Sequence, residues 1–272
     1  MGLRINTNVA ALNTTRTLRN STLALNKSLE RLSSGLRINR AADDAAGLAI
    51  AEGFRSQVRG TQQAQRNSQD GISLVQTAEG ALTETSSALQ RIRELAVQSA
   101  NGTNSTENRV ALNAEVQQLL QQIDTIALDT EYNGLRVLSS PQTVTLQSGY
   151  KVSQVIVINV TGAKTNDLGV NNIAISAVNI AVSTISTVDR ALQSLAQIRG
   201  NLGAIQNRLE FTINTLAIQE ENASFSESAI RDADIARETS IFTRNQILVS
   251  AGTSVLAQAN IIPQTALQLL GG

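Results

Sequence analysis

The chain has no cysteine, no histidine and no tryptophan. Without cysteine there is no disulfide framework and no thiolate metal site. Without histidine the commonest general base and the commonest transition-metal ligand are gone. Neither an enzyme nor a cofactor-bearing protein is expected. Aromatic residues make up 2% of the sequence, so a core has to be built from Ala, Leu, Ile and Val, which suits long helices packed side by side. There are two prolines, Pro141 and Pro263, and long stretches are free to be helical. Charged residues are 16% of the chain and the net charge is zero. That speaks against nucleic-acid binding, which needs a basic excess. Gln258, Asn260, Pro263, Gln264, Thr265 and Gln268 interrupt the apolar tail, so membrane insertion is not expected. No apolar run follows Arg4, so the amino end does not read as a cleavable signal, and Asn6 rules out a myristoylation site.

What is present is helical periodicity over 272 residues. Residues 1–40 read as an amphipathic helix. Leu18, Thr22, Leu25, Leu29, Leu32 and Leu36 follow steps of four and three, a heptad seam that Ile5, Val9 and Leu12 continue in a shifted frame. Ser33-Ser34-Gly35 marks a bend or break. A second helix is expected over 44–99, capped by Asp43 or Asp44 and ended by Asn101-Gly102. Gly53, Gly60, Gly71 and Gly80 lie inside it and suggest close approach of other helices. A third helix runs over 105–129. Asn133-Gly134 is a turn signal, and the β-branched alternation around Thr143–Gln147 and Gln154–Val160 predicts β-hairpins at about 135–162. A connector follows, then a fourth helix over about 182–234 and a fifth over about 236–269, separate or continuous.

The carboxyl end is the most informative stretch. Ile241, Leu248, Val255, Ile262 and Leu269 recur every seven residues. Residues 239–272 carry one charged side chain, Arg244, and the first 29 residues carry Arg4, Arg16, Arg19 and Lys27 but no acid. A charge-poor helix of that length, about 50 Å, is poorly solvated alone. The two ends are therefore expected to pair, with further copies covering what one pair leaves exposed. A self-contained monomeric bundle gives a similar pattern.

Several long motifs carry a resemblance to bacterial flagellin. They are Ile5-Asn6-Thr7-Asn8-Val9-Ala10-Ala11-Leu12, Leu29-Glu30-Arg31-Leu32-Ser33-Ser34-Gly35-Leu36-Arg37-Ile38-Asn39 and Ala41-Ala42-Asp43-Asp44-Ala45-Ala46-Gly47-Leu48-Ala49-Ile50. Leu202-Gly203-Ala204-Ile205-Gln206-Asn207-Arg208-Leu209-Glu210 and Ile230-Arg231-Asp232-Ala233-Asp234-Ile235-Ala236 follow in the far half.

The resemblance implies an inner coiled-coil assembly domain of residues 1–40 plus 236–272. It implies a helical core domain of 41–235 bearing the hairpins, and the short stretch between the two matching halves leads us to expect that the outer variable domains of larger members are missing. The implied function is a structural subunit that polymerises into the flagellar filament for swimming. The implied partners are copies of itself, an export chaperone, the export apparatus, the filament cap and the junction proteins. Delivery is expected without a cleavable signal peptide. The assembly seam is Leu18, Leu25, Leu29, Leu32 and Leu36 with Ile241, Leu248, Val255, Ile262 and Leu269. Gln90-Arg91-Ile92-Arg93-Glu94-Leu95 is similar to a helix motif of members recognised by Toll-like receptor 5, with Gln90, Arg91, Leu95 and Glu115 as the implied contacts. Read as residues alone, Leu95 also suits a core position and Arg91 a solvated face. The related hook–filament junction protein, or a secreted coiled-coil effector or adhesin, stand as alternatives.

Terminal segments of this kind are expected to be largely disordered until copies meet, because ordering costs about 1–2 kcal/mol per residue. Asp43-Asp44 and Asp232-Ala233-Asp234 suit capping or surface pairing, since alternate helical residues do not face each other. No metal site is expected.

Overall fold

The structure is a computed structural model that describes residues 7–270, with side chains described for 7–261. Among the described residues it contains α1 (Val9–Ser34), α2 (Ala45–Ala100), α3 (Thr106–Asp129), β1 (Glu131–Tyr132), β2 (Leu135–Arg136), β3 (Gln142–Gln147), β4 (Val155–Val160), α4 (Val178–Arg231) and α5 (Ile235–Leu270). This is the mainly helical class with small hairpins that the sequence implies.

Local chemistry sets the boundaries. The Asn8 side chain accepts from the Ala11 N–H at the start of α1, and Gly35 ends the helix in the left-handed region at φ 72°. Of the two candidate caps of α2, Asp44 does the work, with Oδ1 accepting from the Gly47 N–H at 2.8 Å. Asp43 instead ties down the preceding turn. It accepts from Lys27 at 2.7 Å and from the Arg40 and Asn39 N–H groups at 3.2 and 3.3 Å. Ser105 caps α3 through the Asn108 N–H. Asn133 and Gly134, at φ 51° and 77°, make the two-residue turn joining β1 to β2. In β4, Ile156, Ile158 and Val160 are buried alternately while β3 pairs with it antiparallel from Gln142↔Val160 to Gln147↔Val155. α4 and α5 are separate helices. Their break falls at residues 232–234, where Asp234 Oδ1 accepts from the Arg237 N–H at 3.1 Å.

The chain divides into two units, one of residues up to Ser56 with those from Asn222 onward, the other Gln57–Glu221. The Gln57–Glu221 unit has a continuous apolar core. α2 gives Leu82, Leu89, Ile92 and Leu95; α3 gives Ile123; the hairpins and connector give Leu138, Ile158 and Ile175; α4 gives Leu195, Leu202 and Leu209, all almost completely buried. Arg109, on α3, is buried beneath the end of α2 and donates to the Ser99 and Asn101 carbonyls, both at 2.8 Å. It thereby satisfies acceptors that the helix end leaves open. Two of the four helix glycines make close approaches, but mainly to the hairpin rather than to a helix. A Cβ at Gly60 would sit 2.8 Å from Tyr150 Cβ, and one at Gly71 would run into Leu146 Cδ1 and lie 3.3 Å from Leu209 Cδ1. Gly53 and Gly80 face open space.

The terminal unit is built differently. α1 and α5 lie antiparallel, with Asn8 Nδ2 donating to the Ala259 carbonyl at 2.8 Å at one end. At the other end Arg31 meets Glu238 at 3.7 Å and Leu36 bridges Asp232. The two connecting segments are stitched by Arg37 N–H to Arg231 O at 2.7 Å and Ala233 N–H to Gly35 O at 2.9 Å.

Candidate assembly surface

Each terminal helix carries two overlapping seven-residue repeats. On α1, Ala11, Leu18, Leu25 and Leu32 form one line, and Thr14, Ser21, Ser28 and Gly35 form a second; all are buried or half-buried. On α5 the lines are Phe242, Val249 and Leu256, half-buried, and Glu238, Asn245, Gly252 and Ala259, of which three are buried. Leu18 rests on Gly252, where an added Cβ would come within 3.2 Å of its Cδ1. One inner line of each helix is therefore made mostly of small or polar side chains.

The large apolar residues missing from those lines sit beside them. Leu248 and Val255 each directly precede an inner-line residue and are 48% and 54% exposed, while Ile241 is half-buried. Leu29 directly follows Ser28 and is 54% exposed. The expected seam thus separates into two sets. Leu18, Leu25 and Leu32 face α5 within the chain. Leu29, Leu248 and Val255 lie on its flanks, and the half-buried Leu36 joins the bridge to Asp232. Ile262 and Leu269 fall in the last turns of α5, where side chains lie outside the described residues. Val9, Leu12, Leu23 and Ile247 extend the exposed apolar surface. A helix pair whose apolar strip is wider than its own contact is suited to receive further helices.

The other group of expected residues lies on α2 and α3. Gln90 is exposed. Arg91 bridges the two helices, 2.9 Å from Glu115, and also reaches Glu94 at 3.1 Å. Glu115, then Glu94, raise the Arg91 pKa further. Leu95 is 1% exposed: it belongs to the core and offers no surface beside the other three.

Sequence reasoning missed Phe211 and Ile218 on α4. They stand 72% and 61% exposed, Phe211 beside a groove of about 500 Å³ also lined by Ser148, Gln154 and Arg208. Their seven-residue spacing was the available signal. No described helix is long and apolar enough to cross a membrane.

Residues 5–143 match the bacterial flagellin N-terminal helical region and residues 185–270 match the C-terminal helical region. A flagellin of Halalkalibacterium halodurans is 48% identical over 98% of this chain and 99% of its own length. A flagellar filament 33 kDa core protein of Treponema phagedenis is 43% identical, with 98% of this chain and 99% of that one covered. In fold, the chain is similar to a solved Vibrio parahaemolyticus structure described as flagellar hook-associated. That match has a TM-score of 0.56 at 12% identity and covers 70% of this chain and 99% of the other. With both helical regions matched in order and the identity sustained end to end, the chain belongs to the bacterial flagellin family of flagellar filament subunits.

Proposed function

We propose that this chain is a non-enzymatic building block that polymerises with copies of itself, and that the flanks of the α1·α5 pair are the contact that drives assembly. The observation that carries this reading is the split of the apolar residues. Half of the inner seam is Ser, Thr, Gly, Asn or Glu, so the pair alone gains little from burial. The exposed Leu29, Leu248 and Val255 gain about 25 cal/mol per Å² once neighbouring copies cover them. The pair is folded within a single chain here, and its ordering is completed by assembly. Scarcity of charge on these flanks favours that step, because buried unpaired charges oppose it. Contacts between unlike patches on successive copies give a helical polymer when the rotation from copy to copy does not close into a ring.

In this reading the terminal unit drives assembly, and the Gln57–Glu221 unit supplies the rigid body. Family membership supports delivery to the flagellum without a cleavable signal, through an export chaperone and the export apparatus, and incorporation next to cap and junction proteins. Seeded polymerisation of purified protein on flagellar fragments is the test. Elongation of the seeds is expected, whereas a junction protein or a secreted adhesin leaves them unchanged.

A receptor reading has one observation in its favour. Gln90, Arg91 and Glu115 are exposed together across α2 and α3, a planar guanidinium in a setting suited to recognition. Leu95 then supports the surface from beneath. A Toll-like receptor 5 reporter assay should lose signal with Arg91→Ala and keep it with a substitution on α1. An unchanged Arg91→Ala response removes this reading.

A further inference from the structure

The sequence holds two Asn-Gly pairs, Asn101-Gly102 between α2 and α3 and Asn133-Gly134 in the turn from β1 to β2. Such a pair carries its own nucleophile and electrophile. The glycine backbone nitrogen, once deprotonated, attacks the side-chain amide carbon of the asparagine, and a glycine has no Cβ to obstruct the ring that forms. Both pairs are exposed, but they sit in different surroundings. We infer that Asn101 is a site of self-modification that converts to isoaspartate, and that Arg109 promotes the conversion. This goes beyond the assembly reading and does not depend on it.

Arg109 is 8% exposed and takes part in no ion pair among the described residues. Its Nη2 donates to the Asn101 carbonyl at 2.8 Å, and the Asn104 N–H donates to the same oxygen at 3.3 Å. Deprotonating the Gly102 nitrogen puts negative charge on that oxygen through amide resonance. A buried guanidinium with no carboxylate beside it stabilises this charge. The Gly102 N–H donates to no acceptor among the described residues, so no hydrogen bond is lost when hydroxide takes its proton. The electrophile is prepared as well, since Asn101 Oδ1 accepts from the Thr103 N–H at 3.3 Å, which polarises Cγ. The Gly102 nitrogen bonds to Cγ, Nδ2 takes a proton from water and leaves as ammonia, and a succinimide ring remains. Water then adds at the carbonyl that Arg109 polarises and breaks its bond to the Gly102 nitrogen. The chain now runs through Cγ, and the freed α-carboxylate lies on Arg109 as a counter-charge. Asn133 is placed differently. Its left-handed backbone, at φ 51°, is held by the Glu131↔Arg136 and Tyr132↔Leu135 pairing, so ring closure has to undo the turn. No guanidinium among the described residues donates to its carbonyl.

The test is peptide mapping by mass spectrometry of the unassembled, folded chain during incubation at mildly alkaline pH, with isoaspartate counted by an isoaspartyl methyltransferase. Asn101 should convert at least about tenfold faster than Asn133. In urea, where Arg109 no longer holds the peptide, the two rates should converge, and the share of isoaspartate over aspartate formed at Asn101 should fall. Arg109→Met keeps the apolar stem and should slow conversion of Asn101 about tenfold, with Asn133 unchanged. Gly102→Ala, whose added Cβ meets open space, should leave thermal unfolding unaltered and suppress the conversion. Equal rates at the two sites in the folded chain overturn the inference, as does a product ratio that is the same folded and in urea. An Arg109→Met chain that folds and still converts at the original rate overturns it too. If that variant does not fold, the comparison of folded chain with chain in urea decides.

Discussion

At their buried positions the two units use different residues. The Gln57–Glu221 unit buries Leu82, Leu89, Ile92, Ile123, Leu195 and Leu202, drawn from three helices. The α1·α5 pair buries Ser28, Glu238, Asn245 and Ala259, and keeps Leu29, Leu248 and Val255 at its edge. Where large side chains close on each other within one chain, folding is self-sufficient. Where they are displaced to the flank, the chain holds back apolar surface for a neighbour. Within the Gln57–Glu221 unit, Arg109 satisfies two carbonyls and seals a helix end.

The largest expected effect on stability lies in the first unit. Leu89→Ala should lower the free energy of unfolding by about 3 kcal/mol, read as a shift in denaturant midpoint. Leu29→Ala should change it by less than about 0.5 kcal/mol. Equal losses from the two would erase the distinction. Next, Ser105→Ala removes the α3 cap and should cost about 1 kcal/mol in the same transition.

A smaller effect is confined to acid. The hydrogen bond from Lys27, then the N–H groups of Arg40 and Asn39, hold the Asp43 carboxyl at about 2, below its ordinary 3.8. A carboxyl whose folded pKa is depressed stabilises the fold above its unfolded value and loses that contribution as pH falls through its folded value. The terminal unit should therefore lose order between pH 3.8 and about 2. Asp43→Asn should remove that part of the acid dependence of helix content measured by circular dichroism. The smallest effect is expected for Arg91→Ala, whose ion pairs are exposed and should change stability by no more than about 1 kcal/mol.

Much of the fold was legible because local rules agreed with each other. Gly35 and Asn133-Gly134 fell where left-handed backbone was needed, and the hairpin alternation matched the burial of Ile156, Ile158 and Val160. The extent of the strands was less so. The loop between them spans residues 148–154 and is closed at its base by the Ser148 N–H donating to the Gln154 carbonyl at 2.9 Å. The assembly surface was legible as a period and not as a face. Counting large apolar residues picks Leu248 and Val255 as the seam. The contact with α1 instead falls on Gly252 and Ala259, where helices can approach closely and a side-chain scale registers little. Leu95 shows the converse: a motif fixes its place on the helix but not whether α3 and α4 cover it.

The central claim is that the flanks of the terminal pair drive assembly while the Gln57–Glu221 unit carries folding. Its most direct test is seeded polymerisation of Leu248→Asp/Val255→Asp, followed by electron microscopy, with thermal unfolding recorded on the same sample. The expected result is no elongation of seeds with the core transition unchanged. Filaments of ordinary length from this variant would contradict the account.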